Sequence, residues 1–186
     1  MPSSTVPAPA ATQSGAQLPL VALPQGELLT INEAGMARIE NVLGDGIHVK
    51  PLRVDLERNE WVVLATFEPG AEVPLHYHTG PAEVYTLQGR WEYREYPDQP
   101  QTLGSYLYEP GGSVHTFFAP AENTEDTIIL VRVAGANINF NEDGSFHSIL
   151  DALTVTHLTS ALSAAQGLPR PRYIVGGEAG FTSEAE

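Results

Sequence analysis

The chain has 186 residues, 42% of them hydrophobic and 17% charged, which is the size and apolar content of one globular domain with its own core. Nine Lys and Arg against 23 Asp and Glu leave a formal charge of −14, which opposes phosphate backbones and anionic membrane surfaces, so neither a nucleic-acid nor a membrane partner is expected. Cysteine is absent, which removes disulfides, thiolate metal sites and cysteine nucleophiles and leaves His and carboxylate as metal ligands.

Residues 1–25 are rich in Pro, Ala, Ser and Thr, carry no Lys or Arg and lack the apolar core of a secretory signal; they read as a flexible leader. Short runs of Val, Ile, Thr, Tyr and Phe follow, punctuated by Gly, Pro, Asn and Asp. Strands are predicted at 47–55, 60–67, 72–77, 83–88, 90–96, 105–108, 113–118 and 127–133, an all-β sandwich or barrel. From about Ser148 to Gln166, Leu150, Leu153, Leu158 and Leu162 recur at near-helical spacing, with Gly167 and Pro169 as stop signals, predicting a helix outside the barrel. One domain over residues 26–175 is expected, helix included, with a loose polar tail at 176–186. Every apolar run is broken by Pro, Gly or charge well short of the roughly 20 residues of a membrane span, so a cytoplasmic protein is expected.

The chemistry concentrates in GAEVPLHYHTGPAEVYTLQG, which holds His76 and His78, and in GSYLYEPGGSVH, which ends at His115. Side chains two apart on a strand share a face, so His76 and His78 point together while Leu75 and Tyr77 point away. Gly112 and Pro110 shape the turn that brings His115 from an adjacent strand, letting a third imidazole converge. His48, His147 and His157 have no such context and read as surface or helix-face residues.

These two segments, in order and with a short spacer, resemble the paired signatures of the cupin superfamily, implying a single double-stranded β-barrel, or jelly roll, with the helix packed outside. The usual cupin motif places a Glu after the second His, and Glu83 sits one residue out of step with that spacing. A one-residue slip turns a strand residue to the other face, so Glu83 is one candidate ligand and Glu95 the other. In residues 90–95, Arg90, Glu92 and Arg94 share a charged face, while Trp91, Tyr93 and Glu95 share the opposite one. An acid on an inward face is costly unless it is paired or binds metal. With Phe117, Trp91 and Tyr93 would wall an apolar pocket suited to an aryl group.

The segments HYHTGPAEVYTLQGRWEYREYP, GSYLYEPGGSVHTF and GLPRPRYI further resemble cupins of the 2,4'-dihydroxyacetophenone dioxygenase type. That resemblance implies non-haem Fe(II) held by His76, His78, His115 and Glu95, and cleavage by O2 of the carbon–carbon bond beside a ketone, yielding a carboxylic acid and formate. It also implies a small ketone substrate and a homodimer. Two other readings stay open at this level. Three-imidazole sites accept Zn, Ni or Mn as well as iron and serve Lewis-acid isomerases and hydrolases. Some cupins bind metal as sensors without turnover.

Overall fold

The computed structural model describes residues 8–22 and 29–177. The chain divides into two compact units, Met1–Thr30 and Ile31–Glu186. In the first, strands β1 (Ala8–Ala11) and β2 (Gln17–Ala22) pair as an antiparallel hairpin inside the stretch expected to be a flexible leader. Its turn is closed by the Gly15 amide donating to Thr12 O (2.9 Å), with Gly15 at φ +85, a conformation glycine adopts without strain.

The second unit is the jelly roll expected from the sequence. Its strands are β3 (Ile47–Asp55), β4 (Glu60–Phe67), β5 (Glu72–His78), β6 (Ala82–Gln88), β7 (Arg90–Tyr93), β8 (Gln101–Thr102), β9 (Tyr106–Glu109), β10 (Val114–Phe118), β11 (Thr127–Ala134), β12 (Asn137–Phe140), β13 (Phe146–Leu150) and β14 (Ile174–Gly176). One sheet runs β13-β12-β5-β10-β7-β8, the other β14-β3-β4-β11-β6-β9. Inward-facing Trp61, Val63, Ala65, Phe67, Val84, Trp91, Phe117 and Ile129 form the core between them. Their alternation with outward residues is the period-2 signal legible in the sequence.

Helix α1 (Ala152–Ala165) starts later than predicted, because Ser148, Ile149 and Leu150 belong to β13. Asp151 sets the boundary as N-cap, its Oδ1 accepting from the Thr154 amide (2.7 Å). The helix buries Ala152, Val155, Thr159 and Ser163 against β3, β13 and β4, while Leu153, one of the predicted stripe residues, is exposed. The β12–β13 hairpin was not foreseen: β13 is an edge strand, and its exposed Phe146 and His147 hide any inward–outward pattern. β14 runs parallel to β3, so residues up to Gly176 of the predicted tail boundary lie in the sheet, and residues 178–186 lie outside the described residues. No helix among the described residues is long and apolar enough to cross a membrane.

Candidate metal centre

Strand β5 carries His76 and His78 on its inward face, 5% and 2% exposed, while Leu75 and Tyr77 point outward. On the neighbouring strand β10, His115 lies directly opposite His76 and is equally buried. The turn before β10 docks on the backbone of His78. Gly112 N donates to His78 O (2.8 Å) and His78 N donates to Ser113 O (3.0 Å), with Gly112 at φ +89, where a side chain would be strained. Two ligand-bearing strands are thereby locked at the level where their imidazoles meet.

The three rings form a near-equilateral triangle, with centroids 4.9, 4.8 and 5.0 Å apart. One nitrogen from each lies within 4.8 Å of the others. His78 Nε2 and His115 Nε2 are 3.1 Å apart. Two nitrogens bound about 2.1 Å from one ion at right angles would stand about 3.0 Å apart, so this spacing fits a shared metal ion. His76 Nδ1 meets Pro74 O at 2.8 Å, which fixes Nδ1 as the protonated nitrogen and leaves Nε2 free to ligate. His78 Nδ1 is buried without a partner. Burial holds His78 down at about 4, against only partial help from the charge of Glu109, and burial likewise lowers His76 against its bond to Pro74. At neutral pH both rings are therefore uncharged, the form that binds metal.

Glu109, at the end of β9, is the carboxylate among these rings. Its Oε2 lies 3.0 Å from His78 Nε2 and 3.5 Å from His115 Nε2, and its Oε1 accepts from the Tyr93 hydroxyl. Burial raises its carboxyl, but the hydrogen bond from His115 and the neighbouring His78 outweigh it, so the acid ionises below the ordinary Glu range. Burial and the Glu109 charge push the Tyr93 hydroxyl well above its ordinary value, keeping it a donor. The Tyr93 ring stacks on His115 with centroids 3.9 Å apart and planes 21° apart.

A protein-family model for the ChrR cupin-like domain matches residues 33–137. The chain belongs to this cupin family. Among solved structures, a protein of unknown function with a cupin-like fold from Ralstonia eutropha JMP134 is 35% identical, with a TM-score of 0.80 over 86% of this chain and 99% of that one. An RmlC-like cupin from the same organism is 26% identical, with a TM-score of 0.70 over 77% and 92% of the two chains. An acetylacetone dioxygenase from Acinetobacter johnsonii, 20% identical, shares the fold with a TM-score of 0.60 over 73% and 91%. No curated protein matches the sequence.

Of the residues singled out in this cupin's sequence, the structure brings together His76, His78 and His115, with Trp91, Tyr93 and Phe117 lining the interior cavity of about 80 Å³ beside them. The two carboxylates proposed from sequence lie elsewhere. Glu83 faces outward on β6, between buried Ala82 and Val84, and pairs with Arg132 across the sheet (2.9 Å). Glu95 is exposed and accepts from the Thr116 amide (2.8 Å) and Thr116 hydroxyl (3.0 Å). The reason is local. β7 ends at Tyr93, so Arg94 and Glu95 sit in a turn, and the strand alternation that aimed Glu95 inward stops before reaching it. Glu92, placed on the charged face of this strand by the sequence, is buried and paired with Arg90. Glu109 carried the signal that was missed. The predicted strand stopped at Tyr108, one residue short, although Leu107 and Glu109 alternate inward against outward Tyr106 and Tyr108, making Glu109 the acid on an inward face.

Proposed function

We propose that this cupin is a metal-dependent dioxygenase that cleaves the carbon–carbon bond beside a ketone in an aryl hydroxyketone or diketone, using Fe(II) held by His76, His78 and His115. The observation that carries this reading is the convergence of three buried imidazoles on a single point, with the Glu109 carboxylate beside two of them. The resemblance of its HTGP and GRW-Y-EY segments to dihydroxyacetophenone dioxygenases supports the same reaction.

When bound, iron would supply the redox link between an electron-rich ketone enolate and dioxygen, which do not react directly. The chain's own residues supply position and charge. His76, His78 and His115 would hold the ion, and three protein ligands would leave it room to take up substrate. Glu109, ionised beside this point, is placed to take the substrate's proton at Oε2, and Tyr93 holds that carboxylate through Oε1. Trp91 and Phe117, stacked 4.8 Å apart, keep the interior apolar and exclude water. For a 2-hydroxyketone the reaction balances as ketone plus O2 to one carboxylic acid and formic acid, with no other reductant.

The test is oxygen uptake by the iron-loaded chain with a panel of 2-hydroxyacetophenones and β-diketones, the products being identified by mass spectrometry. One O2 consumed per substrate molecule cleaved is the expected result. No uptake at one bound iron per chain would overturn the reading.

A further inference from the structure

Strand β5 lies between β10, which carries His115, and β12. On the β12 side, Asn139 lies opposite His76 and Asn137 opposite His78. Directly opposed residues of antiparallel strands share a face with Cβ atoms about 5 Å apart, within hydrogen-bonding reach of each other's side chains. Two bonds fix the start of β12 at this level: Thr79 N donates to Ala136 O (2.9 Å), and Ala136 N donates to Thr79 Oγ1 (2.8 Å). Gly135 permits that approach, since a Cβ there would fall 2.6 Å from Thr79 Oγ1. The two Asn–His pairs then differ. His76 Nδ1 is held by Pro74 O, and Asn139 opposite it donates from Nδ2 to Ser148 Oγ (3.0 Å). His78 Nδ1 is buried without a partner, and so is Oδ1 of Asn137, a residue only 7% exposed. Both side chains line the interior cavity.

We propose that Asn137 is a positioning residue of the metal centre: when His78 ligates through Nε2, its Nδ1–H donates to Asn137 Oδ1, fixing the ring and its tautomer. This rests on the three-histidine centre of the proposed function and not on the reaction assigned to it. His78 Nε2 faces His115 on β10, so the nitrogen that keeps a proton is Nδ1, a donor, and the amide oxygen of Asn137 is an acceptor. A ligating imidazole is ordinarily held in this way through its second nitrogen, which orients the ring and makes the bound nitrogen more basic. Pro74 O does this for His76, and the Asn opposite that ring is engaged elsewhere. For His78 no backbone oxygen does it, and the Asn opposite has its acceptor free. Each orphan atom destabilises the fold when left alone, and joining them removes both penalties.

The experiment uses the full chain and zinc alone, so that no turnover is involved. Asn137→Leu, close in volume, should weaken zinc roughly 10- to 100-fold in competition with a chelator. The metal-free variant should be at least as stable as wild type in chemical denaturation, because it loses a buried unsatisfied amide. A merely structural Asn137 would give the opposite, lower stability with zinc affinity intact. Asn137→Asp, which keeps an acceptor in place, should hold affinity within about threefold of wild type or tighten it. In proton–nitrogen correlation spectra of the zinc-loaded chain, Asn137→Leu should shift the His78 Nδ1–H signal and speed its exchange with water. The His76 signal, held by Pro74 O, should stay. Should Asn137→Leu fail to fold, Asn137→Ala is read in the same way. Wild-type zinc affinity in that variant, equal weakening by Asn137→Asp, or an unmoved His78 signal would overturn the role of Asn137. No zinc on wild type would overturn the three-histidine centre and this role with it. The expected zinc pattern without oxygen uptake would overturn the reaction alone.

Discussion

His48 and His78 are each 2% exposed, on neighbouring sheets of one barrel, yet their surroundings are opposite. Around His48 both ring nitrogens are met: Nδ1 accepts from the Asn41 amide (3.2 Å), and Nε2 donates to Glu68 Oε1 (3.1 Å). Around His78 they are not. Nδ1 has no partner, and Nε2 faces another imidazole and a carboxylate at 3.1 and 3.0 Å. Burial alone therefore does not mark a ligand. A buried ring whose hydrogen-bonding capacity the fold leaves unspent does, because that arrangement costs stability unless something else completes it.

The comparison breaks most visibly at the ligands. Replacing His76, His78 or His115 with Ala should take metal content from one ion per chain to below a tenth, measured by elemental analysis after gel filtration, whereas His48→Ala should leave it unchanged. Full metal in any of the three ligand variants would remove the site. The next effect is on acid stability. His78 titrates at about 4 when folded and at 6.5 when unfolded, so between those values the unfolded chain binds the extra proton. The metal-free protein should therefore lose on the order of 3 kcal/mol as pH falls from about 6.5 to about 4, seen in chemical-denaturation curves. An apo protein equally stable at both ends would contradict the uncharged burial of His78.

Smaller changes sharpen the contrast between carboxylates. Glu109→Gln should weaken metal binding roughly 10- to 100-fold in competition with a chelator, as loss of a group supporting ligands does. Glu95→Gln should leave affinity nearly unchanged and cost about 1 kcal/mol of stability, because its oxygens serve Thr116 at a position open to solvent. The reverse order would return the carboxylate to Glu95.

The ligand histidines were readable because two constraints coincide in a short stretch: alternate residues share a face, and glycine and proline fix the intervening turn. The barrel was readable because β3 and β4 are dense in apolar and β-branched residues between turn residues, even though β3 loses its alternation at a bulge between Pro51 and Arg53. What escaped lay at strand ends and edges. Glu95 follows β7 by two residues and Glu109 closes β9, so each depends on where a strand stops, which tertiary pairing decides. β13 escaped because an exposed edge needs little apolar patterning, and β12 because it spans only four residues; the Asp143-Gly144 pair between them was the local turn signal.

The two backbone bonds between His78 and the Gly112–Ser113 turn also bear on how a metal would arrive. They tie ligands 37 positions apart in sequence into one frame before any ion is present. The entropy of bringing those imidazoles together is then borne by folding rather than by metal capture. Loading and stripping the ion should thus proceed without refolding of the barrel, so that one chain can exchange metals while keeping the same backbone.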